Sequence, residues 1–293
     1  MKRANVHKNL KTIGIVAKNP KNALGLVDFF SKHGIEVMFG KRTASNLGIE
    51  GFSLDEICEK TNLIISLGGD GTLISTCRKI ARKGYKDVHV LGIYDGTLGF
   101  LTDIDLNELE QFFDEFLEGK YDVERPLMLE ITLKKQGKKD INKIAFNDIV
   151  LTRSAVISMS KVDAYLNGKY FNTYYGDGVI VSSPVGSTAY NMSANGPIIY
   201  PLSKTFCITP ICSHSLTQRP VVLPSEYKLS FKNMGSSNVS IVIDGQDSFD
   251  MSEFDEVFIT IGSTHANLIR HLDRDYFDVL KEKLHWGHNG GKA

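Results

Sequence analysis

One carboxylate among glycines is the residue of this sequence best placed to do chemistry. Asp70 lies within Gly-Gly-Asp-Gly-Thr at positions 68–72. Glycines lack a Cβ, so a bound group can approach their backbone closely. A carboxylate would repel the anion in a loop that only binds phosphate, so Asp70 fits a site where it faces an attacking hydroxyl or holds a metal ion. The alternative is a structural turn, for which this sequence is also typical.

The residues on both sides of this loop predict a strand before it and a helix after it. Residues 63–67 are a short apolar run that indicates a buried strand. The apolar residues of 72–83 recur at helical spacing. A strand, a glycine loop and a helix together place backbone N–H groups where they can meet phosphate oxygens. The pattern matches neither the dinucleotide fingerprint nor the P-loop.

The first part of the chain alternates predicted strands and helices after a loose lead-in over 1–11. The predicted strands cover 12–17, 35–39, 63–67 and 88–93, and the predicted helices cover 21–32, 72–83, 105–117 and a short segment that a capping box at Ser53 and Glu56 opens. Such alternation predicts a parallel sheet covered on both faces. Ligands of these sheets bind beyond the carboxyl ends of the strands, where Asp70 and the loop 94–96 both lie.

The pattern changes near Pro126, after which helical periodicity is scarce. Short alternating segments follow, and Asn167 with Gly168 predicts a hairpin turn. The sequence therefore predicts an α/β N-terminal domain with a parallel sheet over 1–124 and an all-β, sandwich-like C-terminal domain over 125–265. A C-terminal segment, 266–293, is expected to pack back on the first domain through a short helix over 277–284, with a tail from 288.

Two polar clusters in the second half favour a ligand, each with a structural alternative. Asn147 and Asp148 interrupt an apolar segment, where polar side chains are costly to bury without partners. They either contact a ligand or mark a bulge with satisfied hydrogen bonds. Residues 176–193 hold a Gly-Asp-Gly and a hydroxyl-rich glycine loop with one aromatic residue, which suits a flat polar ligand such as adenine. The alternative there is a turn that caps a helix. Asp244 alone predicts a β-turn.

Composition narrows the classes of partner. The chain has 293 residues, with 34 Lys and Arg against 34 Asp and Glu. This balance argues against a nucleic-acid surface, and no apolar run reaches the length of a membrane span. The basic N-terminus is not followed by the apolar region of a secretory signal. The four cysteines form no Cys-x-x-Cys pair, so free thiols in the cytoplasm are expected.

Taken together and in this order, the motifs resemble the NAD kinase family over about residues 12–265. They lie at 68–72, Gly92, 98–103, 147–148, 176–178, 186–190, 219–220 and 244–245. Diacylglycerol-type lipid kinases share the Gly-Gly-Asp-Gly element, whereas Gly-Ser-Thr-Ala-Tyr at 186–190 is more particular to NAD kinases. The resemblance implies transfer of the γ-phosphate of ATP to the 2′-hydroxyl of the adenosine ribose of NAD, with Mg²⁺ as the divalent metal. It also implies a homo-oligomer, a dimer or tetramer.

The resemblance implies a role for each matching residue. Asp70 is the candidate base near the 2′-hydroxyl, and Phe100 lies near adenine. The phosphate loop would consist of Gly68, Gly69, Gly71 and Thr72. The residues that would contact NAD are Asn147, Asp148, Asp177 at the nicotinamide end, Thr188, Ala189, Tyr190, Ser193 and Asp244. No metal ligand is identified.

Three positions depart from the family pattern, and two rival functions share parts of it. The departures are Tyr94 with Asp95, Val185, and Ser213. The first two concern substrate and donor contacts. A lipid or sugar kinase would share the phosphate loop, although a lipid kinase also needs an amphipathic docking segment. A non-catalytic dinucleotide sensor would keep the loop at 186–190 and lack the base.

Overall fold

A computed structural model describes residues 5–154, 159–233 and 238–285; the expected tail from 288 lies outside them. The strands are β1 Thr12–Ala17, β2 Glu36–Phe39, β3 Leu63–Leu67, β4 His89–Tyr94, β5 Ile104–Asp105, β6 Asp122–Glu124, β7 Leu127–Lys134, β8 Ile141–Ala145, β9 Asp148–Arg153, β10 Ser160–Leu166, β11 Lys169–Gly176, β12 Gly178–Ser182, β13 Thr205–Ile211, β14 Val221–Pro224, β15 Leu229–Asn233, β16 Val239–Ile243, β17 Asp247–Asp250, β18 Glu256–His265 and β19 Leu268–Arg270. The helices are α1 Pro20–Lys32, α2 Lys41–Leu47, α3 Leu54–Lys60, α4 Asp70–Arg82, α5 Leu109–Leu117, α6 Tyr190–Ser193 and α7 Tyr276–Leu284.

The chain divides into two units, one of residues 1–125 with 266–293 and one of residues 126–265. The first unit contains a sheet of order β2-β1-β3-β4-β19-β6, with β5 beside β4. Its strands pair in parallel except β6, which is antiparallel to β19. The sheet is therefore mixed, where the sequence predicted a parallel one, because the chain returns from the second unit to insert β19 between β4 and β6.

Apolar strands and amphipathic helices form the core of the first unit. All five residues of β3 are buried, as expected for a central strand of a sheet covered on both faces. The predicted capping box is confirmed: the Ser53 side chain accepts from the Glu56 N–H, and the Glu56 carboxylate accepts from the Ser53 N–H. Helix α5 packs Phe112, Phe113 and Phe116 into the core.

The expectation of a loose lead-in over 1–11 is wrong for the described part of that segment. Val6 is buried, and its N–H donates to the Tyr121 hydroxyl at 2.8 Å. The His7 ring packs edge-on against Tyr121 and Phe116. The sequence did not predict this contact, because Val6 stands among basic residues and a single buried valine produces no periodic apolar pattern.

The second unit is an antiparallel sandwich. One sheet has the order β11-β10-β15-β18-β7-β8 and the other β14-β13-β12-β9-β16-β17. Alternate residues of both sheets share one apolar core, the arrangement expected when two sheets pack face to face. The predicted hairpin is confirmed, with Leu166 opposite Lys169 and positive φ at Asn167 and Gly168. Unit by unit, this is the predicted fold class.

The expected free thiols are present, since Cys58, Cys77, Cys207 and Cys212 form no disulfide. Of the helices in the described ranges, none has both the length and the apolar character needed to cross a bilayer.

Candidate active site

The glycine loop begins where β3 ends. Gly68 has φ +143°, a conformation that favours glycine, and a Cβ there would lie 3.1 Å from the Lys18 Cβ. Its N–H donates to the Ile93 carbonyl at 2.8 Å. The loop is therefore fixed at the carboxyl ends of neighbouring strands β3 and β4, the edge at which such sheets bind ligands.

Helix α4 starts directly from this loop. The Thr72 N–H returns to the Gly69 carbonyl at 2.9 Å. Among the described residues, the N–H groups of Gly69, Asp70 and Gly71 have no acceptor. Unpaired N–H groups and the positive end of the helix dipole together suit a phosphate.

The carboxylate of Asp70 is held by a second segment of the same unit. Its Oδ2 accepts from the Phe100 N–H at 2.8 Å. Its Oδ1 accepts from the N–H groups of Leu101 and Thr102, both at 3.1 Å, and from the Thr102 hydroxyl at 3.3 Å. Four donors fix the orientation of this half-buried side chain.

Gly99 makes this contact possible. A Cβ at Gly99 would overlap Oδ1 of Asp70 and lie 2.6 Å from Oγ1 of Thr102. No larger residue fits without moving the carboxylate or the segment that holds it. The glycine at 99, within the 98–103 motif, is thus required by Asp70 itself.

In the second unit, five of the predicted NAD-contacting residues line one pocket of about 420 Å³. They are Asn147, Asp148, Ala189, Tyr190 and Asp244. Tyr190 is half-exposed, with 47% of the residue's surface accessible. The pocket combines an amide, carboxyl groups and an open aromatic face, which is the chemistry that a nucleoside requires.

Asp244 is both the predicted turn residue and the anchor of this pocket. It has φ +47°, and its own N–H donates to the Asp148 carbonyl at 3.0 Å. Its carboxylate accepts the N–H groups of Phe146 and Asn147, both at 2.7 Å, and of Asp148 at 3.0 Å. The turn thereby fixes the backbone that carries the Asn147 and Asp148 side chains.

Asp148 is a buried carboxyl beside another carboxylate. It is 6% exposed. Burial, and secondly the negative charge of Asp244, raise the pKa of Asp148 to about 7. Near neutral pH this side chain therefore exists both as a hydrogen-bond donor and as a pure acceptor.

The segment 183–199 is held against the same backbone by small polar side chains. The Ser183 hydroxyl donates to the Phe146 carbonyl at 2.6 Å. Ser187 donates to Pro184 and accepts from the Ile199 N–H. These hydroxyls bind within the loop itself, so the hydroxyl-rich pattern there is partly structural. The capping alternative is not confirmed, because the N-cap of α6 is Ala189 and no side chain caps this helix.

Other predicted residues lie outside that pocket lining. Asp177 pairs with Arg153, with 3.0 Å between Oδ1 and Nε. The Thr188 hydroxyl donates to the Val185 carbonyl, and Ser193 is exposed at the end of α6. Phe100, in the first unit, uses its backbone to hold Asp70.

Three further residues of the pocket, Val150, Thr152 and Val242, were not predicted from the sequence, and Gly245 of the 244–245 motif also lines it. Val150 and Thr152 follow Asp148 at alternate positions of β9, so they share its face of the strand. That alternation was the available signal, and it could have extended the site from Asp148 by two residues.

Both the N-terminal and the C-terminal part of the chain match families of known proteins. Residues 21–121 match the family described as the ATP-NAD kinase N-terminal domain, and residues 146–271 match the ATP-NAD kinase C-terminal domain. The NAD kinase of Campylobacter jejuni subsp. jejuni serotype O:23/36 (strain 81-176) is 42% identical over 285 residues, which cover 96% of this chain and 98% of that protein. The NAD kinase of Sulfurimonas denitrificans is 43% identical over 286 residues, covering 96% and 99%.

Two solved structures share the fold. One is a yeast NADH kinase complexed with NADH, with a TM-score of 0.86 and 24% identity, covering 97% of this chain and 90% of that one. The other is an NAD kinase from Archaeoglobus fulgidus in complex with ATP, with a TM-score of 0.75 and 23% identity, covering 94% and 98%. Matches to both domains and relatives of 42–43% identity along almost the whole chain make this protein a member of the ATP-NAD kinase family.

Proposed function

We propose that this member of the family uses Asp70 as the base when the γ-phosphate of ATP is transferred to the 2′-hydroxyl of the adenosine ribose of NAD. The observation that carries the proposal is the carboxylate fixed by four donors at the start of a phosphate-type loop. The new bond joins the 2′-oxygen to the γ-phosphorus, the bond to the β-phosphate oxygen breaks, and ADP leaves. The hydroxyl proton passes to Asp70.

The geometry of Asp70 supports that role. Oδ1 accepts three of the four hydrogen bonds and Oδ2 accepts one. A carboxylate offers about two acceptor positions on each oxygen, so Oδ2 retains one for a hydroxyl. Phosphoryl transfer passes through a loose transition state, in which catalysis depends on positioning and charge neutralisation. A carboxylate held in one orientation suits that demand.

The phosphate loop would hold the triphosphate through its backbone. We assign this role to Gly68, Gly69, Gly71 and Thr72, and the unpaired N–H groups at 69–71 support it. In the second unit, we assign the binding of NAD to the pocket formed by Asn147, Asp148, Ala189, Tyr190 and Asp244. Phe100, Asp177, Thr188 and Ser193 complete the proposed set of ligand contacts.

The proposed reaction also needs a divalent metal ion, and we propose that this ion enters the site bound to ATP. In the described ranges, no three His, Cys, Asp or Glu side chains converge on a possible metal site. Mg²⁺ commonly keeps several waters and binds through substrate phosphates with one or two carboxylates. We propose that triphosphate and water hold most of its coordination. When bound, the ion supplies neutralising charge to the phosphates.

The test of this function compares wild type with Asp70→Asn in a mixture of NAD, ATP and Mg²⁺, with NADP read by an NADP-specific dehydrogenase. We expect NADP from wild type, and a kcat lower by about 10²–10⁴-fold in the variant, the usual contribution of a general base. The KM for NAD should stay unchanged. Asp87→Asn, at an exposed carboxyl before the other end of β4, is the matched control.

Each other outcome has a defined meaning. Full turnover by Asp70→Asn would remove Asp70 from the mechanism. If wild type bound NAD and consumed no ATP, the dinucleotide sensor would become the better account.

We further propose a cytoplasmic homo-oligomer, a dimer or tetramer. The four free thiols support a reducing compartment. Tyr170, Phe171 and Tyr175 are exposed on β11, an edge strand of the second unit, and exposed aromatic residues are typical of interfaces between subunits. Light scattering coupled to gel filtration would measure the subunit number.

A further inference from the structure

The segment that holds Asp70 is itself held from behind by cations of the C-terminal region. The Leu98 carbonyl accepts from Nζ of Lys283. The Phe100 carbonyl accepts from the Arg274 guanidinium at 2.9 Å, and the Leu101 carbonyl accepts from the Arg270 guanidinium. Three cationic side chains thus contact carbonyls of residues 98–101.

Two of these carbonyls belong to peptide groups that face Asp70. The Phe100 carbonyl and the Leu101 N–H are parts of one planar peptide group, as are the Leu101 carbonyl and the Thr102 N–H. Each group therefore has an arginine on its oxygen and the Asp70 carboxylate on its N–H. Chains of hydrogen bonds polarise one another, and a cation on the carbonyl strengthens the N–H as a donor.

The two arginines are fixed by the buried carboxylate of Asp103 and the half-buried carboxylate of Glu124. Arg270 lies 2.9 Å from Asp103 and 2.7 Å from Glu124. Arg274 lies 3.4 Å from each of the same two residues. The side chains of Arg270, Arg274 and Asp103 are 3%, 7% and 6% exposed. Two positive and two negative charges hold one another in place, which gives the guanidinium groups a defined position behind the segment.

We propose that Arg274 and Arg270 are positioning residues for Asp70, acting through the two peptide groups between Phe100 and Thr102, and that Lys283 supports the start of the same segment. This inference rests on the proposed role of Asp70 as the base. Within residues 98–101 the cations contact backbone oxygens. They act on Asp70 by fixing the direction of the N–H groups that donate to its carboxylate and by making these N–H groups stronger donors. Catalytic geometry in the first unit then depends on residues that lie about two hundred positions later in the chain.

Arg274→Met is the main test, with Arg274→Lys as the conservative variant. We expect kcat to fall by about tenfold to a hundredfold in Arg274→Met, as for a small displacement of a reacting group, with the KM values for NAD and ATP within about twofold. Arg274→Lys should recover part of kcat, since lysine keeps a cation but only a point donor. A purely structural role would change stability without this division between kcat and KM.

A second variant covers the case in which Arg274→Met fails to fold. Lys283 lies on α7 and is only half-buried, so Lys283→Met should fold and still lower kcat, by less than Arg274→Met. Lys281→Met is its matched control: Lys281 lies on the same helix, and its Nζ donates to Asp278 at 2.8 Å. It should keep the wild-type kcat.

Combination with Asp70→Asn separates this inference from the proposed base. If Arg274 acts through Asp70, Arg274→Met should lower kcat little further in the Asp70→Asn background. Fully additive losses, or a wild-type kcat in folded Arg274→Met, would overturn the inference. The ¹⁵N-resolved amide signal of Leu101, whose peptide group Arg274 contacts, gives an independent measure: it should move upfield in Arg274→Met. If Asp70→Asn kept full turnover, the base would be disproved, and an unmoved Leu101 signal would additionally disprove the coupling.

Discussion

Replacing Asp148 by asparagine should change how the stability of the second unit depends on pH. The Asp148 pKa is raised from 3.8 to about 7 by burial and by Asp244. Between these values the folded chain keeps a proton that the unfolded chain releases. The carboxyl therefore contributes stability that is fully present below its unfolded pKa and is lost as the pH rises through about 7. Asparagine does not titrate, so Asp148→Asn removes this loss.

The expected change in the free energy of unfolding follows from the size of the Asp148 pKa shift. One pKa unit corresponds to about 1.4 kcal/mol, so the full window is worth about 4 kcal/mol. The part between pH 5 and pH 7 is worth about 2 kcal/mol, because the folded carboxyl is only half-ionised at pH 7. For a unit of this size, 2 kcal/mol corresponds to a change of roughly 4–8 °C in Tm. The Tm of Asp148→Asn minus that of wild type should therefore be more positive at pH 7 than at pH 5 by this amount.

Thermal unfolding followed by intrinsic fluorescence at the two pH values, without ligand, is the assay. Asp140→Asn, at an exposed position of the same unit, controls for the loss of one negative charge and should change Tm little at either pH. If the difference between Asp148→Asn and wild type were the same at both pH values, Asp148 would not be a desolvated carboxyl, and the reasoning from its burial would be refuted.

Two further substitutions test how each unit holds its site. Gly99→Ala should displace the Asp70 carboxylate, because the added Cβ overlaps its Oδ1, and kcat should fall about a hundredfold or more. The control Gly25→Ala, which has open space around it in α1, should leave kcat unchanged. A wild-type kcat for Gly99→Ala would contradict the required close approach. Asp244→Ala should leave the N–H groups of 146–148 without their acceptor and lower the free energy of unfolding by about 1–3 kcal/mol. The KM for NAD should also rise, and an unchanged KM would show that this turn does not shape the pocket.

Local signals predicted much of the fold. The apolar run of β3, the glycine loop and the helical spacing of α4 are all contained within about twenty residues of sequence. The capping box at Ser53 and the hairpin at Asn167 each depend on a few adjacent side chains. In these places the residues that determine the structure are neighbours in the chain, so a sequence pattern is sufficient.

The elements that were missed depend on distant partners or weak periodicity. Helix α2 lies between Gly40 and Gly48 and offers few apolar residues to reveal a helical period. Strand β6 is only three residues long and pairs with β19, more than 140 positions later. Neither the pairing nor its antiparallel direction has a local signal.

The same limit applies to the site. The types and spacing around Asp70 indicated phosphate chemistry, and the loop at 186–190 indicated a nucleotide. No pattern showed that Asp70 is held by residues thirty positions away, or that arginines near the C-terminus hold those in turn. The pKa of Asp148 also follows from burial and from Asp244, which only the fold brings close.

The position of β19 between β4 and β6 has a consequence for synthesis on the ribosome. β19 follows the whole second unit in the chain, and β6 pairs with no other described strand. At about 5–20 residues per second, roughly 7–30 s pass between the synthesis of β6 and that of its partner β19. A similar time passes before the arginines that contact residues 98–101 are synthesised. The second unit is available to fold during this interval. The segment at 98–101 of the nascent chain therefore meets its arginines only after the whole second unit and residues 270–274 have been synthesised.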